Sequence, residues 1–211
     1  MDSSSNIKSS IRILLPTYGV VGFLCLYIVA SFYYPGGSQL DHDSVGFSWA
    51  DNYWCNLLSE RAINGQPNKA QPIALTAMLI ICFSLAYFSY IFSQLTDLKK
   101  HTKLTIQISS TCGAIVTMFL FTSFHNTVIN VACLCGLITI IFILIELRNA
   151  KWVWLFSFGI LNVVLVILNN VLYYGHELII YLPIIQKVTF LSFLLWVCLV
   201  NVRLYIARSR S

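Results

Sequence analysis

The stretch LTIQISSTCGAIVTMFLFTSFHNTVINVACLCGLITIIFILI, Leu104–Ile145, contains no Asp, Glu, Lys or Arg. A helix needs about 20 apolar residues to cross the hydrocarbon core of a bilayer. This stretch is therefore long enough for two membrane-spanning helices joined by a short turn. The whole sequence agrees with that interpretation, because 58% of its 211 residues are hydrophobic and only 10% are charged.

Four further stretches are poor in charge, and they complete the prediction of an all-α, six-span membrane protein. Residues 13–40, 70–96 and 152–176 carry no Asp, Glu, Lys or Arg, and residues 178–202 carry only Lys187. The connections after the second span are short, so successive helices are expected to be antiparallel neighbours within one domain, residues 1–211. The predicted spans are residues 13–34, 72–95, 104–124, 127–146, 152–174 and 178–202.

The distribution of Lys and Arg predicts the orientation of the chain in the membrane. Cationic residues concentrate on the cytoplasmic side of membrane proteins. With the N-terminus inside, ten of the 13 Lys and Arg fall on the cytoplasmic side, which predicts cytoplasmic N- and C-termini in a bacterial plasma membrane. Membrane lipids explain the net charge of +5, and no motif indicates a nucleic-acid partner. The ten residues are Lys8, Arg12, Lys99, Lys100, Lys103, Arg148, Lys151, Arg203, Arg208 and Arg210.

Residues 35–71 form the only long polar segment, and the orientation places it on the extracytoplasmic side. Within it, apolar residues recur at roughly helical spacing between Gly46 and Ala62, beginning with Trp49 and Tyr53. That pattern predicts a short amphipathic helix, which would lie on the outer ends of the bundle or between them. We therefore expect a folded cover over the outer side.

Lys187 is the most informative single residue, because it lies nine positions into the last predicted span. At ~1.5 Å per residue this is ~14 Å along the helix, a depth at which an unpaired charge costs several kcal/mol. One interpretation is a structural lysine satisfied by carbonyl groups or by a carboxylate of the loop, with Asp43 among the candidates. The other is a lysine that binds a ligand or handles protons.

The second interpretation leads to a functional hypothesis. Lys187 would be the counter-charge for a small polar or anionic ligand, such as a lipid head group, in a polar cavity that opens outward. Two carboxylates would regulate the lysine, and neighbouring amides would orient it. The predicted site consists of Lys187, Gln186, Asp51, Glu60, Asn56 and Asn169.

Three histidines on the predicted outer side provide an alternative. His42, His125 and His176 with nearby carboxylates are a ligand set that zinc accepts, which would allow an intramembrane hydrolase or transferase. The sequence has no HExxH spacing and no GxSxG motif. It therefore favours a protein with neither enzyme activity nor a cofactor. A membrane assembly factor that binds a protein partner is the third alternative.

The loop motifs resemble a family of six-helix bacterial membrane proteins, the domain of unknown function 998, and more distantly the Frag1/DRAM/Sfk1-type proteins. The resemblance implies six spans and an outer polar site, but no particular activity. The segment DNYWCNLLSE is also similar to the ceramidase and progestin-receptor-like hydrolases, which have seven helices and paired histidines in the last one. The motifs that carry the first resemblance are Tyr34-Pro35-Gly36-Gly37, Asn52-Tyr53 with Asn56-Leu57, and Asn64-Gly65 with Asn68.

Overall fold

A computed structural model describes residues 11–209 except 123, 176 and 177, and it leaves the side chains of residues 125 and 126 undescribed. The described residues form a helical bundle without β-strands, which confirms the all-α prediction. The six long helices are α1 (Leu15–Phe32), α2 (Gln71–Leu95), α3 (Lys100–Thr117), α4 (His125–Asn149), α5 (Val153–Gly175) and α6 (Leu182–Ser209).

Five of the six helices are long and apolar enough to cross a membrane. The exception among the described residues is α3, whose first turn contains Lys100 and Lys103 and whose middle contains Gln107 and Ser109. The structure therefore supports a membrane protein with five candidate spans.

Two helix bounds differ clearly from the prediction. The third helix ends at Thr117, and tight turns follow in which the N–H of Phe119 donates to Val116 O at 3.0 Å. The last helix extends past residue 202 to Ser209, and cationic Arg208 lies in its final turn, where it favours the negative end of the helix dipole.

Consecutive helices pack side by side, and α6 closes the bundle against α1 and α2. We call the end that carries residues 33–70 the loop end, and the other the opposite end. The core of the loop end includes Phe23, Tyr27 and Ile81. The core of the opposite end includes Phe92 and Trp196.

The long loop, residues 33–70, folds over one end of the bundle. An antiparallel bridge between Gly36 and Val45 closes its first part, and a bridge between Arg61 and Pro67 closes its last part. Gly37 has a φ of 82°, and an added Cβ would lie 2.4 Å from the backbone nitrogen of Asn64, so this tight crossing requires glycine.

The helix within the long loop is shorter than the stretch whose periodicity predicts it. Only Trp54–Leu58 are helical, as a 3-10 helix, because Tyr53 and Ser59 on either side have extended backbone. The carbonyl groups of Asn56, Leu57 and Ser59 accept hydrogen bonds from the side chain of Asn68. The Asn68 side chain therefore binds backbone carbonyls that would accept hydrogen bonds from backbone N–H groups in a longer helix.

Candidate functional site

Lys187 is buried where the long loop meets α6, with 7% of its surface exposed. It lies in the second turn of α6, and its Nζ donates a hydrogen bond to Pro183 O, one turn earlier, at 2.9 Å. Nζ also donates to the backbone oxygen of Asn52 in the loop. The ammonium group therefore connects the loop backbone to the last helix.

The charge of Lys187 has no ion-pair partner among the described residues. Asp51 is close enough to attract the ammonium electrostatically, but its Oδ2 accepts a hydrogen bond from Ser48 Oγ at 2.6 Å. An ammonium group has three N–H donors, and two of them are used here. A buried cation held only by neutral carbonyl groups retains a strong attraction for an anion.

Gln186, the neighbour of Lys187, holds the loop at a second point. Its Oε1 accepts a hydrogen bond from the backbone N–H of Trp54 at 3.3 Å. Two consecutive residues of α6 therefore bind the loop backbone at residues 52 and 54.

Two buried asparagines hold the rest of the loop in place. Asn52 is fully buried; its Nδ2 donates to Gly37 O at 2.8 Å, and its Oδ1 accepts from Ser48 N at 2.8 Å. Asn68 is 6% exposed and, besides the three carbonyls described above, its Oδ1 accepts from Ala70 N at 3.0 Å. The sequence marks both asparagines only as motif residues of the resemblance described above, and it does not predict that they hold the loop backbone.

Trp54 anchors the loop in an aromatic cluster between α1 and α6. Its ring centroid lies 5.4 Å from Tyr27, 5.4 Å from Phe190 and 6.0 Å from Phe23. The side chain is 8% exposed, and no described residue accepts a hydrogen bond from its Nε1. Because buried indole N–H groups usually have a partner, this donor is an unexplained feature of the site.

A second unsatisfied polar atom lies two residues further along the same 3-10 helix. Asn56 Oδ1 is buried and accepts no hydrogen bond from the described part of the chain. Cys55 lies between the two residues, and burial raises the pKa of its thiol to about 11, although nearby Lys187 acts in the opposite direction. A thiol with so high a pKa is a poor nucleophile at neutral pH.

The structure brings together part of the predicted site. Lys187 and Gln186 bind the loop backbone at residues 52 and 54, and Asp51 lies near the ammonium group. Asn56 lies on the 3-10 helix that begins at Trp54, and its backbone oxygen accepts a hydrogen bond from Asn68. Glu60 is exposed and forms neither a hydrogen bond nor an ion pair with the lysine. The amide of Asn169 instead donates to Thr189 Oγ1 at 2.5 Å and to Leu165 O at 2.8 Å, which connects α5 to α6.

The structure describes the side chain of only one of the three histidines of the zinc hypothesis. His42 is exposed on the loop, whereas the side chain of His125 and all of His176 lie outside the described residues. Within the described part of the chain, no group of three His, Cys, Asp or Glu residues is arranged to hold a metal ion.

Comparison with known proteins adds no relative to this description. No protein-family model matches the chain, and neither a curated protein nor a solved structure matches it significantly.

Proposed function

We propose that the chain is an integral protein of a bacterial plasma membrane with six spans, cytoplasmic termini and an extracytoplasmic loop. Five apolar helices support this proposal, and α3 would be a sixth, more polar span packed against its neighbours α2 and α4. Its polar side chains have partners there: Gln107 Nε2 donates to Ser93 Oγ of α2 at 2.7 Å, and Ser109 bonds to Thr139 of α4. The resemblance to domain of unknown function 998 remains a prediction that fits this topology.

The site beneath the loop binds a small polar or anionic ligand, such as a lipid head group from the outer leaflet. The observation that carries this proposal is the buried ammonium of Lys187. Among the described residues it has two carbonyl partners and no ion pair, so they use only two of its three N–H donors. An anionic oxygen at that donor would form a charge-assisted hydrogen bond, which is stronger than a neutral one.

The position of Lys187 suits recognition rather than chemical reaction. The described residues around it supply hydrogen-bond donors and acceptors. The nearby thiol of Cys55 stays protonated well above neutral pH, because burial raises its pKa from 9.0 to about 11. The ligand would therefore be held between the 3-10 helix of the loop and α6 without a covalent step.

Replacement of Lys187 by glutamine tests the proposal. The variant Lys187→Gln keeps an N–H donor for the loop carbonyl but removes the charge, and Lys69→Gln is the control because Lys69 is exposed on the same loop. We expect Lys187→Gln to retain at least about ten-fold less phosphatidylethanolamine and phosphatidylglycerol, measured by native mass spectrometry, because a hydrogen bond to a charged group is lost. Equal retention by the wild type and Lys187→Gln would refute the proposal.

A further inference from the structure

We propose that a cleft at the opposite end is a second binding site, for an organic cation that joins a protonated amine to an apolar or aromatic body. The cleft has a volume of about 400 Å³ and lies where the C-terminal ends of α2, α4 and α6 meet. Ligand-binding pockets commonly measure about 300–1,000 Å³, so a small organic molecule fits. Lys187 does not line this cleft, so the inference is independent of the anion site.

Part of the cleft lining is apolar and belongs to the core of the opposite end. Phe92 is fully buried, and Leu147 and Leu204 are also buried. Trp152 lies beside them, and its backbone N–H donates to Leu147 O at 2.9 Å, which holds the start of α5 against the end of α4. The apolar body of a ligand gains free energy by covering such a surface.

Two carboxylates line the same cleft. The described residues include six acidic residues, of which four lie in the long loop and the other two, Asp97 and Glu146, lie here. These two are close enough to repel each other, and the described side chain that stabilises the charge of Glu146 is the neutral amide of Asn149. A cation bound beside both carboxylates would offset their repulsion.

The ends of three helices add to this negative character. Residues from the final turns of α2, α4 and α6 line the cleft, and the C-terminal end of a helix carries a partial charge of about −0.5. Arg208 is the one cation in the described lining, so two carboxylates and one guanidinium give the side chains a net charge of −1. The cleft should therefore prefer cations to anions.

The lining favours an organic cation over a metal ion. Calcium takes about six to eight oxygen ligands and magnesium about six, whereas the described part of the chain has no group of three His, Cys, Asp or Glu residues arranged to hold a metal. An ammonium group has three N–H donors, which two carboxylates and a carbonyl group can accept. The rest of the ligand would lie against Phe92 and Trp152.

Three indole compounds with the same ring and different charges test the proposal. At neutral pH tryptamine is a cation, tryptophol is neutral and indole-3-propionate is an anion. Their binding to the purified full-length protein in an uncharged detergent is measured by isothermal titration calorimetry. We expect the wild type to bind tryptamine at least about ten-fold more tightly than tryptophol, and to bind indole-3-propionate more weakly than either.

Three variants locate the binding in the cleft. Glu146→Gln is expected to weaken tryptamine binding about ten-fold, and Asp97→Asn about three-fold, because Asp97 is exposed and water and salt screen its charge. Neither should change the binding of tryptophol. Ala207→Trp adds a bulky side chain at an exposed position of the lining and should weaken the binding of both compounds. Asp43→Asn, which removes an exposed carboxylate of the long loop, is the control and should bind tryptamine as the wild type does.

Several outcomes would overturn the inference. Equal affinity of the wild type for tryptamine and tryptophol is one, and failure of the wild type to bind tryptamine is another. Tryptamine binding that neither Glu146→Gln nor Ala207→Trp weakens would also overturn it. If Glu146→Gln does not fold, Asp97→Asn and Ala207→Trp decide the question, since both change exposed side chains.

Discussion

The two ends of the bundle are closed in different ways. At the loop end, buried amides and one buried ammonium satisfy the backbone of a folded cover over an aromatic core. At the opposite end, the ends of α2, α4, α5 and α6 leave a cleft of about 400 Å³ lined by Asp97, Glu146 and Trp152. There the Arg203 guanidinium lies 5.1 Å from the Trp152 ring centroid.

This difference shows that hydrogen bonds determine the structure of the loop end, whereas apolar packing determines that of the opposite end. The loop has little regular secondary structure, so specific hydrogen bonds from side chains must determine its conformation. The opposite end consists of helix termini and large apolar side chains, so its stability depends mainly on how closely those side chains fill the space. Polar substitutions should therefore affect the loop end most, and changes in volume the opposite end.

The largest effect is expected from Asn68→Ala. The substitution leaves three loop carbonyls and the N–H of Ala70 without their partner, and we expect it to lower the free energy of unfolding by about 3 kcal/mol. Chemical denaturation of the protein in detergent measures the change. Asn170→Ala is the control: it removes an exposed amide that donates to Val166 O of the same helix, and it should change stability by less than about 0.5 kcal/mol. Similar effects of the two substitutions would mean that Asn68 does not organise the loop.

The reactivity of Cys55 tests whether the loop is closed. Burial raises the pKa of its thiol from 9.0 to about 11, so the thiolate fraction at pH 8 falls about 100-fold relative to a free thiol. We expect maleimide labelling at pH 8 to be slower by about that factor than labelling of Val45→Cys in a Cys55→Ser background. Val45 is 96% exposed and provides the reference.

The raised pKa also has a consequence for stability. The folded protein holds the proton of Cys55 more tightly than the unfolded chain does, so the fold loses stability as the pH rises from about 9 to about 11. The variant Cys55→Ser should lose this part of the pH dependence. Labelling of Cys55 as fast as that of the reference thiol would show that the loop is open.

Gly159→Ala tests close packing at the opposite end. An added Cβ would lie 2.4 Å from Leu144 Cδ2 and 3.0 Å from Trp196 Cζ2, so these two buried side chains must shift within a packed core. We expect a loss of about 2 kcal/mol in the free energy of unfolding, by the same denaturation measurement. In Gly136→Ala the added Cβ meets no atom within 4 Å, so that control should be neutral or slightly stabilising. A neutral Gly159→Ala would show that packing at this end is loose.

The smallest effect is expected from Thr17→Val. Thr17 Oγ1 donates to Asn201 Oδ1 at 2.8 Å, and Asn201 Nδ2 donates to Ile13 O at 2.8 Å, which holds α1 against α6. Removal of the hydroxyl should cost about 1 kcal/mol, because one net hydrogen bond is lost while the amide keeps its other contact. A double-mutant cycle with Asn201→Ala should give a coupling energy of similar size, and no coupling would contradict the assigned contact.

Much of the fold follows from the sequence because its causes are local. Runs without charged residues predict the long helices. A lysine within such a run needs polar partners, and Lys187 is buried with two carbonyl groups as its partners. The end of α3 at Thr117 does not follow, because residues 118–122 are as apolar as the helix before them. Their turns are visible only in the backbone hydrogen bonds.

The candidate site follows from the sequence only in part. Lys187 and Gln186 are recognisable because polar residues are rare in the last helix. The roles of Asn52 and Asn68 are not recognisable, because their side chains bind backbone groups up to 15 residues away. The sequence does not show which backbone carbonyls lack a partner within secondary structure. The Trp54 N–H, which has no acceptor among the described residues, could not be predicted either, because hydrophobic periodicity treats tryptophan only as an apolar residue.

The central claim is that the ammonium of Lys187 is buried between the loop and α6 and binds an anionic ligand there. Solution NMR of the protein with ¹⁵N-labelled lysine measures this directly through the Nζ signals and their hydrogen exchange. We predict one slowly exchanging ammonium signal that is absent in Lys187→Gln, present in Lys69→Gln and shifted by phosphatidylglycerol. If the signal assigned to Lys187 exchanges as fast as those of exposed lysines and does not respond to the ligand, the account is contradicted.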